Sequence, residues 1–89
     1  MRFLFRKGVT EVILYLHKNG RAGYYEMEKK KFVGGRQTFS KILRTLKKES
    51  IVVRKLIDSR PPRVEYSLSS KGREVAELLE RLDKALQKK

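Results

Sequence analysis

Cysteine is missing from this sequence altogether, which excludes disulfide staples, thiolate metal sites and any nucleophilic thiol. The single histidine, His17, has no second histidine nearby and no carboxylate cluster around it, so no metal is expected. Long apolar runs are absent: nothing approaches the roughly 18 residues needed to cross a bilayer. The opening MRFLFRKG has only a three-residue apolar core, far short of a signal peptide. The expectation is a soluble, cytoplasmic protein with no membrane partner. Catalytic apparatus is also missing. There is no nucleophile–base pair, no paired carboxylates in an apolar setting, and FVGGRQTF has two glycines but no other part of a phosphate loop. An enzyme is not expected, and neither is a cofactor.

Acid is scarce as well, and this shortage says most about function. Ten Asp and Glu stand against 23 Lys and Arg, a net charge of +13. The excess is unevenly placed: residues 29–63 hold twelve basic side chains and two acidic ones, +10 in 35 residues. Residues 71–89 are nearly balanced, six against four. Concentrated positive charge is the footprint of polyanion binding. The plainer reading is a heat-adapted surface, which fits 37% charged residues with one Asn and two Gln. Such surfaces, however, usually mix both signs.

The 89 residues have room for one domain, taken as 1–89, with a modest core that gains from association. Gly8 to Asn19 predicts a helix, with Val9, Val12, Ile13 and Leu16 on one stripe and NGRAG ending it. Tyr24 to about Lys31 predicts a short second helix, Met27 and one of its two tyrosines facing inward. Residues 36–49 repeat the first pattern with Phe39, Ile42, Leu43 and Leu46, leaving a basic opposite face. IVVRKLI and VEYSL predict strands joined through DSRPPR, a wing over about 51–68. Ser69 is placed to cap a last helix over about 70–87, with acid-before-base pairs Glu77–Arg81 and Glu80–Lys84 on it. The fold class is therefore mainly α with a small β-hairpin (α+β). Its element order is that of a winged helix-turn-helix with a long C-terminal dimerisation helix.

The run Pro61, Pro62, Arg63, Val64, Glu65, Tyr66, Ser67, Leu68, Ser69 and Gly72, after the strand IVVRKLI, resembles a signature of the HxlR-like winged-helix transcription regulators. Upstream, TFSKILRTLKKESIVVR is similar to that family's recognition helix and the start of its wing. The resemblance covers roughly residues 9–80 and implies a dimeric DNA-binding repressor or activator. Departures are visible. With no cysteine, the thiol sensing common in the family is not expected. Gly34 and Gly35 replace the usual Ile-Ser, which weakens the helix cap. Lys31 stands where the family has an apolar residue, leaving that task to Phe32.

A recognition helix of this kind lies in the major groove with its N-terminal residues nearest the base edges. Arg36, Gln37, Thr38, Ser40 and Lys41 are the expected base readers. Arg44, Lys47, Lys48, Tyr25 and Lys30 are expected at phosphates. In the wing, Pro61 and Pro62 hold the loop extended and present Arg60 and Arg63 to the flanking backbone or minor groove. Glu65 is expected to pair with a basic side chain across the hairpin, and His17 to sit at a solvent edge without function. Val75, Leu78, Leu79, Leu82 and Leu86 form a stripe read as a homodimer interface, joined by Phe3, Leu4 and Phe5. The alternative is that this helix folds back over its own core.

The expected function is a sequence-specific, double-stranded-DNA-binding transcriptional regulator, acting as a homodimer in the nucleoid. The alternative is an abundant nonspecific DNA-coating protein with the same fold, whose affinity comes from charge alone. The Arg36/Gln37/Ser40 edge separates the two, since coating does not need it. A third reading is RNA binding or protein scaffolding, roles that winged helices also serve; against it, no aromatic platform is evident for stacking single-stranded bases. No motif names an effector ligand.

Overall fold

Seven elements follow one another along the chain, as seen in a computed structural model that describes residues 6–87: α1 (Val9–Asn19), β1 (Arg21–Gly23), α2 (Tyr24–Glu28), α3 (Arg36–Lys48), β2 (Val52–Ile57), β3 (Arg63–Leu68) and α4 (Ser70–Gln87). Phe3, Leu4 and Phe5 lie outside the described residues. The two apolar stripes both turn into one core, as their spacing predicts. Val9, Val12, Ile13 and Leu16 of α1 and Phe39, Ile42, Leu43 and Leu46 of α3 are all buried. Ala22, Met27, Ile51, Val52, Tyr66, Leu68 and Ala76 complete the core. Each large apolar side chain buried there contributes about 1.5–3 kcal/mol.

The sheet is larger than the hairpin expected. Arg21–Gly23 forms a third strand, antiparallel to β3 with Ala22 opposite Tyr66, and the strand order is β1-β3-β2. Gly20 makes this possible. At φ 83 it takes a left-handed turn that side chains resist, and its N–H closes α1 onto the Leu16 carbonyl at 2.8 Å. The chain then runs straight into β1, where Ala22 is buried. Glu65 lies opposite Lys55 in the hairpin register, and its carboxylate comes within 3.9 Å of Arg21 on β1.

The second helix is shorter than its charge pattern predicts. It ends at Glu28, and Lys31 turns the chain at φ 52, so Lys29 to Lys31 belong to a turn. Phe32 is half-buried and packs edge-on against Tyr15, ring centres 5.6 Å apart, in the role Lys31 cannot fill. Gly35 starts α3 without a side-chain cap, as expected from the missing Ser. At the wing tip the backbone bends at residues 59–61 instead of lying extended. The Arg60–Pro61 peptide is cis, and the Ser59 hydroxyl donates to the Pro61 carbonyl at 2.9 Å.

Ser69 ties the last helix down. Its Oγ accepts the Gly72 N–H at 2.9 Å and points its own proton at the Ile51 and Ser50 carbonyls. Here α4 meets the start of β2 so closely that Gly72 and Ala76 are its only buried residues. The leucine stripe divides between two surroundings. Val75 and Leu79 are half-buried against the chain's own core, whereas Leu78, Leu82 and Leu86 are exposed. The physical reason is length. An 18-residue helix spans about 27 Å at 1.5 Å per residue, and residues 80–87 are all exposed beyond the core. Glu80 turns back to His17 of α1 at 3.1 Å and not along the helix to Lys84, so His17 acquires a structural partner. Among the described residues no helix is long and apolar enough to cross a membrane.

Candidate nucleic-acid interface

At 100° per residue, the side of α3 opposite its buried stripe is occupied by Gln37, Lys41, Arg44 and Lys48. All four are exposed, and none is acidic. They make a polar and cationic line along the helix. Thr38 lies on one flank, where it borders a small cleft of about 250 Å³ together with Arg6, Lys7 and Lys41. Lys47, also exposed, lies on the other.

Two of the expected base readers lean toward α2. Arg36 donates from Nε to Glu28 Oε2 at 3.3 Å, while its side chain keeps 69% of its surface exposed. Ser40 Oγ shares a hydrogen bond with the Tyr24 hydroxyl at 2.6 Å and is half-buried. Ser40 thus fastens the two helices together, with Tyr24 also packed against Phe39 at 5.2 Å. Tyr24 is the inward tyrosine of the pair. Tyr25 is the outward one, 67% exposed and edge-on to Tyr24. Lys30 stands with its ammonium 5.7 Å from the centre of the Tyr15 ring.

The acids around α2 are engaged. Tyr15 donates its hydroxyl to Glu26 at 2.6 Å, and the Gly23 N–H reaches the same carboxylate at 3.4 Å. The Tyr15 bond, then the Gly23 bond, hold the Glu26 carboxyl below its usual range; the same bond to Glu26 pushes the Tyr15 hydroxyl up. This pair locks α1 to α2 and keeps Glu26 charged but occupied.

Between the wing and the β1–α2 junction lies a cleft of about 800 Å³, bordered by Arg21, Arg54, Arg63, Tyr25, Pro61 and Pro62. Arg63 was expected near such a surface. Arg60 is exposed at the tip and does not border the cleft. Arg21 and Arg54 are additions that sequence reasoning missed. The signal for Arg54 was available: it is two residues from the buried Val52 and opposite Tyr66, so strand alternation puts it on the core-side face beyond the core edge. Arg21 could be placed only once β1 was known. Among the described residues, no group of three or more His, Cys, Asp and Glu side chains could hold a metal.

A family model described as an HxlR-like helix-turn-helix matches residues 7–89. No curated protein matches significantly. Among solved structures the chain is similar to the ytfH protein of Salmonella typhimurium, at 19% identity over 97% of this chain and 76% of that one, TM-score 0.81. It is similar to the reduced form of the transcriptional regulator YodB from B. subtilis, at 18% identity over 92% and 79%, TM-score 0.77. It also resembles a transcriptional regulator homologue from Pyrococcus horikoshii OT3, at 15% identity over 98% and 90%, TM-score 0.79. At these identities the likeness is one of fold, a winged helix-turn-helix with a long last helix.

Proposed function

The chain belongs to the HxlR-like helix-turn-helix family and is a DNA-binding transcriptional regulator, not an enzyme; on that premise we propose that it binds specific duplex sites as a homodimer. The observation that carries the proposal is the exposed, acid-free line of Gln37, Lys41, Arg44 and Lys48 along α3. A helix with this face fits the major groove. Gln37 suits adenine and Lys41 suits guanine, while Thr38 can bond either kind of edge. Arg36 joins them through the guanidinium nitrogens left free by Glu28. Arg44, Lys47 and Lys48, together with Tyr25 and Lys30, take phosphates and add affinity without sequence information.

The wing serves the same site. Arg63 and Arg54 in the cleft, with Arg60 at the tip, take the flanking backbone or minor groove. Pro61 and Pro62 limit the freedom that ordering the tip removes. Leu78, Leu82 and Leu86 on the overhanging end of α4 form the dimer contact, in place of the full stripe. Such a regulator acts in the cytoplasm on nucleoid DNA.

Selection from a random duplex pool tests the reading. The enriched sequence should be an inverted repeat with half-site centres about 34 Å, or one turn, apart. Light scattering should find two chains on each duplex. A pool that returns no common sequence would overturn specific recognition and leave a coating protein.

A further inference from the structure

We propose that Glu28 is a positioning residue for base recognition, holding the Arg36 guanidinium so that its two terminal nitrogens meet a guanine. This rests on the reading that α3 contacts base edges. Arg36 is the first residue of the helix, where contact with bases is closest. Its Nε is committed to Glu28 Oε2 at 3.3 Å. That leaves Nη1 and Nη2, an end-on fork whose spacing matches O6 and N7 of guanine. A guanidinium held in this way loses less rotamer freedom on binding than a free one.

The support behind Glu28 is firm. Its side chain is only 23% exposed, against 69% for Arg36, so the acid is the fixed partner and the arginine the presented one. Tyr24 and Ser40, bonded at 2.6 Å, fix α2 against α3 and with it the place from which Glu28 reaches out. The presence of an acid here otherwise runs against the purpose of the surface. Lys29, Lys31 and Arg36 surround the same α2–α3 turn, and a carboxylate among them weakens attraction to any polyanion. An acid that lowers affinity for all DNA while aiming one arginine raises discrimination at affinity's expense.

The test compares a selected duplex, scrambled DNA and a selected duplex with one guanine replaced, across Glu28→Ala, Glu28→Gln, Arg36→Ala and the double variant. Glu28→Ala should tighten binding to scrambled DNA, since a negative charge is gone, yet lower the selected-to-scrambled ratio about three- to fivefold, the scale of one exposed pair. Glu28→Gln keeps a carbonyl acceptor for Nε and should keep most of the ratio. With Arg36→Ala already present, Glu28→Ala should leave the ratio unchanged, and only the guanine facing Arg36 should lose its preference. Melting temperatures should stay level, which separates aiming from a structural role. If Glu28→Ala tightens both duplexes equally while Arg36→Ala collapses the ratio, Glu28 is a charge and nothing more. If Arg36→Ala leaves the ratio intact, the base-reading role of Arg36 fails and the positioning role falls with it.

Discussion

Replacing Leu82 with Glu should convert the protein to monomers and weaken binding to a two-half-site duplex by about 10²–10⁴-fold, the loss expected when two linked contacts become separate ones. Leu82 is 53% exposed between Leu78 at 58% and Leu86 at 75%, on a helix end where every residue from 80 to 87 is exposed. Isolated exposed leucines are ordinary, but three at i, i+4 and i+8 form a continuous apolar strip. A carboxylate at its centre would have to be buried unpaired for two copies to meet. The fold itself should survive, because Leu82 contributes nothing to the core. Sedimentation and circular dichroism read the two effects separately. A dimer that persists with Leu82→Glu contradicts the interface, and a monomer that binds the full site as tightly as before contradicts its role in recognition.

Gly72→Ala should cost about 3 kcal/mol, the upper range for forcing atoms into a packed site. A Cβ at this position overlaps the Ile51 carbonyl oxygen, lies 3.0 Å from the carbonyl carbon and 3.1 Å from Leu68 Cδ2. Backbone cannot swing aside as a side chain end can, so α4 must shift away from the start of β2. Moving it would strain the Ser69 bonds to Ile51 and Gly72 and loosen Ala76 from the core. For a chain of this size each kcal/mol lowers the melting temperature by about 4–8 °C, so a fall of roughly 12–24 °C is expected. Gly34→Ala is the control, since a Cβ there meets nothing within 4 Å. A Gly72→Ala melting point within about 5 °C of the parent contradicts the close approach.

Periodicity carried most of the fold. The i, i+3, i+4, i+7 stripes of α1 and α3 needed no tertiary information, because each helix has one wet and one dry side. Ser69 and the hairpin were readable for the same local reason. What failed depended on contacts between elements. Arg21 to Gly23 is too short to show alternation, and Asn19 and Gly20 beside it disguise it as a loop. Lys29 to Lys31 suit a helix end by charge, but the left-handed turn at Lys31 is not written in charge. The leucines of α4 form one stripe in sequence and two surfaces in space, since spacing does not reveal where the core stops. The cationic face of α3 was visible from its residues. The Glu28–Arg36 and Tyr24–Ser40 bonds were not, because they depend on how two helices cross.

The most direct test of specific recognition is a fluorescence anisotropy titration of the selected duplex and of scrambled DNA at two salt concentrations. The selected site should win by about 10³-fold or more at moderate salt, within the range of specific binders. Gln37→Ala combined with Lys41→Ala should remove most of that advantage. Equal affinities for both duplexes, falling together and steeply with salt, would contradict the account and reduce α3 to a strip of phosphate contacts.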